Sequence, residues 1–149
     1  MLYFDTSFLA PLVLQEATSK RVERFVAALP AGELTISQWT RMEFSSLLAR
    51  EMRMGGLDGQ AARDADAQFE AIVQESFVVL LPGADDFDLA KDYLRNYATG
   101  LRAGDALDLA IAKTHGAKTI YSFDRTLLKA GRILGLPMSA GIKVAGYGK

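Results

Sequence analysis

The chain has 149 residues, half of them hydrophobic and 23% charged, with a formal net charge of −1. That length suits one domain, residues 1–149, with a real core. The near-neutral charge is not the mark of a basic nucleic-acid binder, though it leaves room for a basic patch beside an acidic site. No cysteine is present, which excludes disulfides, thiolate zinc sites and cysteine nucleophiles.

The opening stretch MLYFDTSFLAPLVL is apolar. It lacks a basic leader, is interrupted by Asp5 and is too short to cross a bilayer. It reads as a buried strand at Leu2–Phe4 and a helix over 6–15, with Pro11 tolerated near the start or as a kink. The expected location is the cytoplasm, with no membrane association. Residues 20–29 place Val22, Phe25, Val26 and Leu29 at helical spacing, and Pro30, Ala31 and Gly32 break that helix. Residues 34–36 read as a second strand. Ser37 can cap the next helix, whose Phe44, Leu47 and Leu48 face a core, and Gly55-Gly56 ends it.

Residues 58–75 form an amphipathic pattern with Phe69, Ile72 and Val73 inward. FVVLL at 77–81 reads as a continuous apolar strand, and 85–98 as a helix. The segment 103–115 is an unusually apolar helix ending at His115-Gly116. Residues 119–122 then form a strand, 125–133 a helix, and 142–144 a last edge strand. Short apolar strands alternating with helices predict an α/β fold with a mainly parallel sheet. Such sheets bind ligands at the carboxyl ends of their strands.

Four acids fall at those ends or in the helices that follow: Asp5, Glu43, Asp105 and Asp124. Asp5 and Asp124 also suit helix N-caps, Asp105 suits a helix N-terminus, and Glu43 suits a solvated helix face. Asp108 lies one turn after Asp105 on the same apolar helix, and two such carboxylates are hard to explain as solvated surface. Clustered carboxylates repel, so they must share protons or bind a cation, and an oxygen-only set suits Mg²⁺ or Mn²⁺. Thr6 and Ser7 are placed to support Asp5. Ser122 points to the side of Asp124. Arg41, Arg102 and Arg125 lie near the motifs and are candidate phosphate contacts. Asp64, Asp66 and Glu70, like Asp85, Asp86, Asp88 and Asp92, read as solvated or helix-dipole residues. His115, the single histidine, reads as structural, so a two-histidine metal-free ribonuclease is excluded.

Other α/β functions fit less well. FVVLLPG ends without the acceptor Asp that a receiver-type phosphoacceptor domain needs. The turn FDTSFL has no glycine to let a dinucleotide pyrophosphate approach the backbone.

Taken in order, the DTS at the amino terminus, a helical Glu, GDALDLAIA and SFD resemble the PIN domain, and most closely its VapC-type toxins. The resemblance covers nearly the whole chain. It implies an α/β/α three-layer sandwich and a Mg²⁺- or Mn²⁺-dependent endoribonuclease that leaves a 3′-hydroxyl and a 5′-phosphate. It also implies RNA as substrate, a cognate VapB-like antitoxin and a homodimer. Carried over by motif, Asp5, Glu43, Asp105 and Asp124 are the catalytic and metal-binding quartet. Asp108 stands where many relatives have a histidine, and Ser122 where a strand hydroxyl often occurs. The alternatives within that resemblance are an inactive RNA- or protein-binding module, or a nuclease of RNA processing without an antitoxin.

Overall fold

The computed structural model describes residues 1–145. Five strands form one sheet: β1 (Leu2–Phe4), β2 (Leu34–Ser37), β3 (Val78–Leu80), β4 (Thr119–Tyr121) and β5 (Met138–Ser139). Their order is β3-β2-β1-β4-β5 and every pairing is parallel. The helices are α1 (Thr6–Leu9), α2 (Ser19–Ala27), α3 (Gln38–Arg53), α4 (Gly59–Ser76), α5 (Ala84–Arg95), α6 (Ala103–Thr114) and α7 (Arg125–Ile133). None of them is long and apolar enough to cross a membrane.

Side chains alternate across a strand, and here the alternation separates two cores. Leu2, Phe4, Leu34, Ile36 and Tyr121 pack with Phe8, Val22, Phe44, Phe69 and Val73 from α1 to α4. Tyr3 and Ile120 point the other way, onto Ala90 of α5, Leu107, Leu109 and Ile111 of α6, and Leu127 of α7. The result is the expected α/β/α sandwich. Helix α6 is apolar all round because it is buried all round, from Ala106 to Ala112. Leu109 and Ile111 are each wholly enclosed, and burying each contributes about 1.5–3 kcal/mol.

Several boundaries differ from expectation. The first helix runs only from Thr6 to Leu9 and tightens into a 3₁₀ turn at Ala10–Leu12. Pro11 sits in that turn, where its missing N–H costs little. FVVLL yields three strand residues at a sheet edge, with Val78 and Leu81 exposed. Helix α5 stops at Arg95, before a 3₁₀ turn at Tyr97–Thr99. The last edge strand is Met138–Ser139, and residues 142–144 form none. Ile120 N–H donates to the Pro137 carbonyl and Ser122 N–H to that of Ser139. Gly141 then turns the chain away with a left-handed φ of 70°.

Asp86 is not a solvated residue as its neighbours are. It is 3% exposed, accepts from the Gly83 N–H at 2.8 Å at the start of α5, and accepts from the Thr114 hydroxyl. It thereby pins the start of α5 to the end of α6.

Candidate active site

Strand order reverses between β1 and β4, since the chain builds β2 and β3 on one side of β1 and β4 and β5 on the other. A reversal of this kind opens a crevice at the carboxyl edge. Asp5 leaves β1 there and Asp124 leaves β4, while α3 and α6 bring Glu43 and Asp105 from the flanks. A cleft of about 590 Å³ is lined by Asp5, Glu43, Asp105, Asp124, Trp39 and Arg50, among others.

Asp5 caps α1, and its Oδ2 collects three donors: Ser7 Oγ at 2.6 Å, Ser122 Oγ at 2.9 Å and Ser7 N–H at 3.3 Å. Burial pushes the Asp5 carboxyl up, the Ser7 and Ser122 hydrogen bonds oppose this, and the Asp124 charge adds to it. Only Ser7 of the two expected residues supports Asp5. Thr6 donates instead to Glu43 Oε1 at 3.3 Å. Ser122 is wholly buried, so it braces Asp5 from below and also accepts from Asp124 N–H at 3.0 Å.

Glu43 sits in the second turn of α3. Ser37 starts that helix with a capping box in which Thr40 takes the usual Glu or Gln position. Burial, and then the charges of Asp5 and Asp105, raise Glu43 to about 7, against the relief that its contacts with Asp108 and Thr6 provide. Asp105 opens α6 and is half-buried. Burial, followed by the Asp124 and Asp5 charges, lifts it to about 6, while Arg102 pulls the other way. Asp124 is a true N-cap, its Oδ1 accepting from Thr126 N–H at 2.8 Å and Leu127 N–H at 3.2 Å. Asp124 thus caps α7 and also lines the cleft.

Asp108 departs most from the sequence picture. It shares a helix with Asp105 but not its exposure, being 0% accessible. The Tyr3 hydroxyl donates to its Oδ1 at 2.8 Å and lies 3.0 Å from Ser37 Oγ. Burial, and next the Glu43 charge, hold the Asp108 carboxyl well above the usual range. A proton shared with Glu43 eases the contact between the two acids. With both ionised, Asp108 Oδ2 is buried with no donor among the described residues.

These residues fit a hard divalent cation. All the candidate ligands are carboxylate oxygens. One oxygen each from Asp5, Glu43 and Asp108 lie within 4.8 Å of one another. Among the described residues, no lysine or arginine forms an ion pair with these three.

The basic candidates fare unevenly. Arg41 is committed to Glu70, with Nε and Nη2 at 2.9–3.2 Å from its carboxylate, and does not line the cleft. Glu70 is thus an ion-pair partner rather than a lone solvated acid. Arg102 and Arg125 are exposed at the starts of α6 and α7. Sequence reasoning missed Arg50, three turns along α3 and on the cleft wall. Its helical spacing of seven from Glu43 was the available signal. Trp39 also lines the cleft, its indole N–H donating to the Gly104 carbonyl at 3.1 Å. His115 ends α6, with Nδ1 2.9 Å from the Ile111 carbonyl.

Comparison with known proteins bears on this geometry. The fold is similar to VapC20 of Mycobacterium tuberculosis, described as a sarcin-ricin loop cleaving toxin. The two are 25% identical with a TM-score of 0.68, over 88% of this chain and 95% of that one. FitAcB of Neisseria gonorrhoeae superposes with a TM-score of 0.70 at 17% identity, over 93% and 96% of the two chains. VapBC-1 of nontypeable Haemophilus influenzae gives 0.65 at 17%, over 93% and 97%. No curated protein matches the sequence. The PIN domain model matches residues 2–133, from β1 through α7; with the acidic edge lying wholly inside that span, the chain belongs to the PIN domain family.

Proposed function

We propose that this protein is a Mg²⁺- or Mn²⁺-dependent endoribonuclease and the toxin of a type II toxin–antitoxin pair, acting in the cytoplasm. The observation that carries the reading is the convergence of Asp5, Glu43, Asp105 and Asp124 on one cleft at the carboxyl edge of a parallel sheet. The likeness to VapC20, described as a sarcin-ricin loop cleaving toxin, supports RNA as the substrate class. The likeness to FitAcB and VapBC-1 supports an antitoxin partner, and we extend this to a homodimeric toxin.

In this reading Asp5 and Asp105 hold the principal cation, directly or through water, and Glu43 and Asp124 complete its surroundings. The cation supplies Lewis-acid polarisation of the phosphate and a lowered pKa for attacking water. The chain's own residues do the rest. Ser7 and Ser122 fix Asp5 in one rotamer by hydrogen bonds to the same oxygen, and the Thr6 hydroxyl orients Glu43. Glu43, whose carboxyl burial and the Asp5 and Asp105 charges push up, would gain most from a cation that offsets that repulsion. Asp105 and Asp124 face the open side, where the phosphodiester arrives, and Arg50 on the same wall offers it a positive charge.

The test is cleavage of a structured RNA by the purified chain. Cleavage should require Mg²⁺ or Mn²⁺, stop in excess chelator, leave 5′-phosphate ends and disappear in Asp5→Ala. Equal cleavage in chelator, or an unimpaired Asp5→Ala protein, defeats the nuclease reading. The toxin reading is tested separately by growth arrest on expression and its relief by the product of a neighbouring small gene.

A further inference from the structure

We propose that Asp108 is itself a cation ligand, completing with Asp5 and Glu43 a deep cation position beneath the Asp105–Asp124 side of the cleft. The proposal rests on the reading that this acidic cleft takes a divalent cation, and it adds a residue that the four-acid pattern does not include.

Three observations carry it. The first is distance: one carboxylate oxygen from each of Asp5, Glu43 and Asp108 falls within a single 4.8 Å cluster, a span that one cation bridging oxygens at 2.0–2.6 Å accommodates. The second is the unequal state of the two Asp108 oxygens. Oδ1 has its donor in Tyr3, at 2.8 Å. Oδ2 is fully enclosed with no N–H or hydroxyl donor among the described residues; what it meets is the Glu43 carboxyl, so a shared proton or a cation must stand between the two acids. The third is how firmly the side chain is held. Asp108 lies in the middle of a helix whose neighbours Leu107, Leu109 and Ala110 are all buried, and Tyr3 is fixed in the central strand. With one oxygen held by Tyr3 and the helix buried on both sides of Asp108, the other oxygen has no path to water in this packing.

A purely structural acid would be better served by a neutral residue. An asparagine would satisfy Tyr3 through its carbonyl and Glu43 through its amide without the cost of a buried carboxyl. A carboxylate at this place makes physical sense as the counter-charge of a cation. Asp105 and Asp124, both more exposed, line the more open part of the cleft, where Asp105 can reach the same cation directly or through water.

The test is Mn²⁺ binding by the full chain, free of RNA, measured by calorimetric titration and by the Mn²⁺-induced rise in melting temperature. Wild type is compared with Asp108→Asn and Asp108→Ala. The asparagine variant should melt at least as high as wild type in chelator, which establishes that it is folded. Both variants should bind Mn²⁺ at least tenfold more weakly and lose most of the melting-temperature rise. If either folded variant binds Mn²⁺ as wild type does, Asp108 is not a ligand and the proposal is overturned, while the cation site of the other acids stands. If wild type itself binds no Mn²⁺ and shows no rise, the cation reading fails with it.

Discussion

Tyr3 and Asp108 join the central strand to the most deeply buried helix through one hydrogen bond of 2.8 Å. The phenol is the donor to Asp108 Oδ1, while Glu43 faces the same carboxyl and shares its proton, and both Tyr3 and Asp108 are wholly inaccessible. Tyr3→Phe keeps the ring and its packing but removes that donor. Asp108 Oδ1 then stands unpaired in a buried layer, which costs on the order of 1–3 kcal/mol. Urea unfolding at neutral pH in chelator should show a lower midpoint with an unchanged slope. A Phe variant as stable as wild type would mean that Asp108 does not depend on Tyr3.

The raised acids make the cation-free protein pH-sensitive in a definite direction. Glu43 rises from 4.5 to about 7 and Asp105 from 3.8 to about 6 on folding. A carboxyl raised in the folded state favours the fold when protonated. Its contribution is present in full below the unfolded pKa and is lost as pH rises through the folded one. In chelator, melting temperature should therefore fall between about pH 4 and pH 7 as far as these two groups decide it. Mn²⁺ competes with those protons, so its stabilising effect should grow over the same window. Scanning calorimetry across that range, with and without Mn²⁺, reads both trends. A Mn²⁺ effect that shrinks with rising pH would contradict the assignment of these acids to a cation.

Much of this was legible in the chain, for identifiable reasons. The continuous apolar run Leu2–Phe4, buried throughout, and the all-round apolar character of α6 are local patterns, and they located the sheet and its inner helix. Asp5, Asp105 and Asp124 were legible because a residue at a strand end or helix start needs no tertiary knowledge to be placed. What the sequence could not convey was depth and partner choice. Asp105 and Asp108 are three residues apart, yet one opens to the cleft and the other is sealed under Tyr3, a residue 105 positions away. Thr6 and Ser7 are adjacent, yet they serve Glu43 and Asp5 respectively. Arg41 looked like a phosphate contact until α4 supplied Glu70 from 29 residues on. The end of the sheet was misplaced because Ile142 and Val144 carry strand-like side chains, whereas the backbone pairing is made by Met138–Ser139.

Gly104 sets the approach of Trp39 to the acidic edge. A Cβ at residue 104 would lie 3.1 Å from Trp39 Cζ2 and 3.6 Å from Glu43 Oε2. The indole also donates to the Gly104 carbonyl, so it cannot yield without weakening that bond. Gly104→Ala should gain about 0.5–1 kcal/mol of helix preference and offset it against this crowding, leaving stability close to wild type. Asp105 is the next residue, and a small displacement of it should lower kcat by on the order of tenfold to a hundredfold. Thermal melting alongside single-turnover cleavage separates the two effects. Full activity in the alanine variant would show that the Trp39 contact does not position Asp105.

Arg50 is the basic residue that the cleft itself presents. It lies seven positions after Glu43 on α3 and is exposed beside Ser46 and Leu47, so its guanidinium is available to an incoming phosphate. Removing one charge-assisted contact costs about 1.5–3 kcal/mol. Arg50→Ala should therefore lower kcat/KM on RNA by roughly tenfold or more, chiefly through KM, with Mn²⁺ affinity unchanged. Because the contact is exposed, the deficit should shrink as ionic strength rises. Arg50→Lys should recover part of the loss, since it keeps the charge but not the planar fork. Cleavage rates measured at two salt concentrations for the three proteins test all of this. An alanine variant with wild-type kcat/KM at low salt would place the RNA path on another wall of the cleft and return Arg102 to consideration.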